Sequence, residues 1–75
     1  MLVKIDKSFQ RDVRKVKNVD IQKRIASLIR DFKKTGKLSD IKQLKKLAGS
    51  GNEYRIRIGD YRIGLIIEAD TVEFV

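Results

Sequence analysis

The chain has 75 residues, 18 Lys/Arg against 10 Asp/Glu, a formal net charge of +8, and neither cysteine nor histidine. That length holds one domain, residues 1–75, near the lower limit at which a single hydrophobic core suffices. The missing residue types exclude disulfides, thiolate and imidazole metal sites, and Ser-His-Asp or Cys-His catalysis, so any chemistry falls to Arg, Lys, Tyr, Asp or Glu.

The charge is unevenly placed. Residues 1–37 hold 12 Lys/Arg and 4 Asp/Glu, whereas residues 38–75 hold six of each. A basic half of this kind suits either a polyanionic partner or a lysine-rich solvated surface. No apolar run approaches the roughly 18 residues of a membrane span, and MLVKIDKSF lacks the long apolar stretch of a signal peptide. These features predict a soluble cytoplasmic protein with no membrane partner.

Residues 2–5, LVKI, read as a short β-strand ending at Asp6 and Ser8, either of which suits a helix N-cap. Phe9, Val13 and Val16 then recur at i, i+4 and i+7 among charged residues, which predicts a short amphipathic helix. The segment 17–20, KNVD, interrupts it, with Asp20 as N-cap of a second helix. Ile21, Ile25, Leu28, Ile29 and Phe32 give that helix an apolar stripe reaching about Lys34, and Gly36 is placed to stop it.

Leu38, Ile41, Leu44 and Leu47 recur every third residue, a spacing that suits a 3₁₀ turn lying on the core. GSGN at 49–52 reads as a loop. It gives only a very weak match to a phosphate-binding P-loop, because that motif ends in Gly-Lys-Ser/Thr on a helix and here a strand follows.

From Tyr54 the period changes to two. Two-residue turns at Gly59-Asp60 and Ala69-Asp70 place Tyr54, Ile56, Ile58, Tyr61, Ile63, Leu65, Ile67, Val72 and Phe74 on one face of a three-stranded meander. Gly at the first central position of the first turn suits type II′. The predicted register sets Ile56 opposite Ile63, Tyr54 opposite Leu65, Ile67 opposite Val72 and Leu65 opposite Phe74. Its apolar face is the place for the two helices, so the expected class is α+β.

The same register puts Arg57 opposite Arg62, with Arg55 two residues along the same face. Like charges facing each other across strands are destabilising. One resolution is that Asp60, Glu53 or another acidic side chain neutralises the cluster. The other is an anion site: guanidinium forks bind phosphate oxygens bidentately and stabilise the added charge of a pentacovalent phosphoryl transition state, though they are poor general bases. Gly64, predicted opposite Arg55, would leave open space for a backbone or a base.

The string KKLAGSGNEYRIRIGDYRIGLIIEADTVEFV closely resembles the signature half of the RelE/ParE toxin superfamily of bacterial type II toxin–antitoxin modules. The matching pattern is a Leu-Gly loop, then Tyr-Arg-x-Arg-x-Gly-Asp-Tyr-Arg, then two apolar strands. It is strong over residues 44–75 and a matter of pattern before them. The resemblance implies a RelE-like β-α-α-β-β-β fold, an antiparallel sheet with two helices on one face. It implies a toxin held by a cognate antitoxin and, in the RelE branch, a ribosome-dependent mRNA endonuclease acting in the 30S A site. There the RNA 2′-hydroxyl attacks its own phosphate, with neither metal nor cofactor.

Carried over residue by residue, the resemblance assigns Arg55, Arg57 and Arg62 to binding and activating the scissile phosphate. Lys45 and Lys46 are further candidates for RNA-backbone contacts, against the commoner reading of a short charge run as a solvent-facing surface. RelE-like toxins usually continue past the last strand with a basic segment and a tyrosine-bearing tail that contribute to catalysis. This sequence ends at Val75, so impaired cleavage is expected. The same arginine pattern occurs in ParE-like toxins, which inhibit DNA gyrase, and a third expectation is a non-catalytic protein that binds an antitoxin through its basic helices.

Overall fold

The computed structural model describes residues 1–49 and 51–75; Ser50, within the expected 49–52 loop, lies outside the described residues. Strand β1 (Leu2–Ile5) leads into helices α1 (Lys7–Lys15) and α2 (Val19–Lys34). A 3₁₀ turn (Leu38–Asp40) follows, then strands β2 (Leu44–Lys46), β3 (Glu53–Ile58), β4 (Tyr61–Glu68) and β5 (Thr71–Phe74). The sheet order is β1-β5-β4-β3-β2.

The predicted meander is present with its register intact: Ile56 pairs with Ile63, Tyr54 with Leu65, Leu65 with Phe74 and Ile67 with Val72. Gly59 has φ +58, as a turn with glycine at its first central position requires. The second turn repeats that φ sign at Ala69, where φ is +50.

Two features extend the α+β expectation. β1 pairs in parallel with β5, Val3 opposite Val72, so the sheet is mixed rather than wholly antiparallel. β2 adds a fifth strand, antiparallel to β3 with Leu44 opposite Ile56. The every-third-residue leucine spacing accounts for the 3₁₀ turn but hid this strand, because three residues are too few to display a period of two.

One face of the sheet receives both helices. Phe9 and Val16 from α1 and its C-cap, with Ile21, Ile25 and Phe32 from α2, form a buried cluster with Ile56, Ile58, Ile63, Leu65, Ile67, Val72 and Phe74. Ile41, just beyond the 3₁₀ turn, joins them. Phe74 is fully buried and meets Phe32 edge-on at 5.7 Å and Phe9 at 5.3 Å. These aromatic contacts tie both helices to the last strand, where ring packing adds to the area buried.

The helix ends correct two expectations. Asp6 caps α1 as predicted, accepting from the backbone N–H and hydroxyl of Ser8. The cap of α2, however, is Asn18, whose Oδ1 accepts from Asp20 N at 2.9 Å and Ile21 N at 3.3 Å. Asp20 lies inside the first turn, where its charge complements the helix dipole and pairs with Arg24 at 3.7 Å. At the other end Thr35 terminates α2 in an extended conformation, and Gly36 does not have positive φ. The Thr35 side chain organises this exit, accepting from Lys37 N at 3.1 Å and approaching Asp40 Oδ2 to 2.8 Å.

Candidate nucleic-acid interface

The sheet face away from the helices carries the charged pattern. Residues alternate across each strand, so the burial of Ile56 and Ile58 forces Arg55 and Arg57 outward, and burial of Ile63 does the same for Arg62. Arg57 and Arg62 are direct cross-strand partners, and Arg55 is opposite Gly64 on one side and Lys45 on the other. The edge strand β2 thereby brings a fourth cation to the three arginines.

Together these residues line an open cavity of about 380 Å³ whose wall is Gln43, Lys45, Arg55, Arg57, Gly59 and Arg62. No carboxylate contributes to that wall. Among the described residues the ion pair is that of Arg24 with Asp20, and none involves Arg55, Arg57 or Arg62. The Arg57 Nε donates to Gly59 O at 3.2 Å, which anchors its guanidinium over the hairpin turn.

Of the five residues expected at the site, four converge. Lys46 does not, because it pairs with Tyr54 and so projects to the other side of the sheet from Lys45. Gln43 is an addition. The signal for it was present as polar Gln43 and Lys45 flanking apolar Leu44, a short alternation that the leucine spacing masked. The open space expected at Gly64 is not there: a Cβ on Gly64 would come within 3.3 Å of Val75 Cγ2, and Val75 N donates to Gly64 O at 3.0 Å. The last residue covers that position, so the accessible part of the site lies nearer the hairpin turn and the β2 edge.

An arrangement of fixed cations on a rigid sheet, with no counter-charge of its own, is suited to holding a phosphodiester. Guanidinium groups remain protonated across the physiological range, so they bind and stabilise negative charge rather than accept protons. Among the described residues no group of three or more acidic side chains is placed to hold a metal ion. No helix among them is long and apolar enough to cross a membrane.

No protein-family model matches the chain. The toxin RelE3 of Methanocaldococcus jannaschii is 40% identical over 75 residues, a match that spans 99% of this chain and 84% of the relative. The crystal structure of a RelB–RelE antitoxin–toxin complex from Methanococcus jannaschii superposes with a TM-score of 0.83 at 38% identity, covering 95% of this chain and 83% of that one. This chain belongs to the RelE toxin family.

Proposed function

We propose that this chain is a toxin of a type II toxin–antitoxin module that acts as a ribosome-dependent mRNA endonuclease in the cytoplasm, restrained by a cognate antitoxin. The observation that carries the reading is the convergence of Arg55, Arg57, Arg62 and Lys45 on one exposed cavity with no carboxylate in its wall. A solved relative is a complex of toxin with antitoxin, which supports an antitoxin partner here.

In this reading the RNA 2′-oxygen attacks the adjacent phosphorus as its proton passes to water, the bond from phosphorus to the 5′-oxygen breaks, and the departing 5′-oxygen takes a proton from water, leaving a 2′,3′-cyclic phosphate and a 5′-hydroxyl. Arg57 and Arg62 grip the non-bridging oxygens and take up the extra charge of the pentacovalent state. Arg55 and Lys45 hold the neighbouring backbone. Preorganisation on the sheet matters because removing one such donor from a polar transition-state site typically costs about 10²–10³ in rate.

The test is primer extension on a defined mRNA in a reconstituted translation system, comparing the chain with the Arg57→Gln/Arg62→Gln double variant. Cuts at the A-site codon that vanish in the variant support the assignment. Ribosome binding without cuts leaves the arginines as a binding surface alone. Loss of both, with inhibition of DNA supercoiling by gyrase, moves the chain to the ParE-like activity; loss of both with antitoxin binding intact makes it a non-catalytic binder.

A further inference from the structure

The neutral charge count of residues 38–75 conceals a separation of charge along the open sheet face. The row of paired residues nearest the β3–β4 turn holds Arg57 and Arg62, and the next holds Lys45, Arg55 and Gly64. Two residues further along each strand, Glu53, Ile66, Glu73 and Lys4 are successive neighbours. The row after that holds Glu68, Thr71 and Leu2. Four cations without a carboxylate are thus followed by three carboxylates and a single lysine.

Successive rows on one face are about 7 Å apart, twice the rise of one strand residue. That is within the screening length of about 8 Å at physiological salt, so a phosphate lying over the arginines feels the first acidic row, and one moved onto that row exchanges four cations for two carboxylates and one lysine. The Glu68 carboxylate is held at the far end by Asn52, whose Nδ2 donates to it at 2.8 Å, a neutral contact that orients the charge without cancelling it. Glu73 is half-buried on the face between Ile66 and Lys4.

The geometry points to a fixed path for the ligand: we propose that Glu68 and Glu73 confine single-stranded RNA to the hairpin end of the face. Its backbone then crosses the strands from Arg62 over Arg57 and Arg55 to Lys45 and Gln43 at the β2 edge, instead of running along them toward Ile66 and Leu2. This rests on the RNA-binding reading of the arginine site and adds its direction and its limit. The carboxylates act as a specificity boundary, admitting a short single-stranded segment and excluding a longer polyanion laid along the sheet.

The test is an NMR titration of backbone amides with a short 2′-O-methyl uridine oligonucleotide, which binds but cannot undergo 2′-hydroxyl attack. In the unaltered protein the shifts on this face are expected at Gln43, Lys45, Arg55, Arg57 and Arg62, with Ile66, Thr71 and Lys4 unmoved. In Glu68→Gln/Glu73→Gln, where the amide oxygen at position 68 keeps an acceptor for Asn52 Nδ2, the shifts spread to Ile66, Thr71 and Lys4. Binding there tightens roughly two- to fivefold at low salt, a gain that fades as salt rises. Strong shifts at Ile66 and Lys4 in the unaltered protein overturn the path, as does a double variant that behaves like its parent. Shifts confined to the helices, with none on this face, overturn the RNA reading itself and the path with it.

Discussion

Arg57 stands directly across the β3–β4 ladder from Arg62, and neither has an ion-pair partner among the described residues. Opposed like charges on adjacent strands work against folding, so their persistence in a small domain fits a site whose counter-charge arrives with a ligand. The fold accommodates the pair by exposing both side chains to water, which weakens the repulsion, and by turning the Arg57 Nε onto Gly59 O.

Replacing both arginines with glutamine is therefore expected to raise stability while removing the proposed mRNA cleavage. Relief of the repulsion is worth up to about 1 kcal/mol, and the exposed hydrogen bond of Arg57 offsets part of it. Urea unfolding of the double variant should show a higher midpoint at unchanged slope. A lower midpoint would mean that the pair supports the hairpin, and the phosphate assignment would lose its physical basis.

The two hairpin turns invite opposite substitutions. Gly59 and Ala69 both have positive φ, +58 and +50, yet only the first is a glycine. A left-handed conformation costs a residue with a Cβ about 1–2 kcal/mol, against the smaller entropic penalty of glycine. Ala69→Gly is expected to stabilise by roughly 0.5–1 kcal/mol. Gly59→Ala is expected to destabilise, since its Cβ would also come within 3.0 Å of Ile21 Cδ1. Thermal melts of the two single variants check the contrast.

Phe74 is the residue on which the core depends most visibly. It is fully buried, pairs with Ile5 and Leu65 in the sheet, and contacts the rings of Phe9 and Phe32. Phe74→Ala should cost about 3–5 kcal/mol, a large share of the stability expected for so small a domain. Loss of a cooperative unfolding transition in calorimetry is the expected result, whereas Asn18→Ala, which removes only the cap of α2, should lose about 1 kcal/mol and remain cooperative.

Asp6 carries a pH signature. Ser8 holds its carboxyl below the ordinary value of 3.8, chiefly through the hydroxyl and then through the backbone N–H. Because the folded-state value is the lower one, the cap's contribution is fully present above the unfolded-state value and is lost as pH falls through the folded one. Ser8→Ala removes the larger cause, so the Asp6 carboxyl should titrate closer to 3.8 in a carboxyl-carbon NMR titration, and acid unfolding should begin at a higher pH.

Much of this molecule is legible in its residues. Period-two alternation from Tyr54 onward dictates which side chains are buried, and because a one-residue slip would expose every one of them, it also dictates the register and the meeting of Arg57 with Arg62. The apolar stripes of α1 and α2 likewise follow from spacing alone. The tertiary structure decided what spacing cannot carry. β2 is too short to show its own period and exists because β3 offers an edge, and that pairing alone turns Lys45 toward the arginines and Lys46 away from them. The helix-capping roles of Asn18 and Thr35 depended on local backbone geometry that several polar residues could have supplied. The parallel pairing of β1 with β5 joins positions as far apart in sequence as Leu2 and Thr71, which no local spacing encodes, whereas the covering of Gly64 by Val75 continues the β4–β5 register that sets Leu65 opposite Phe74.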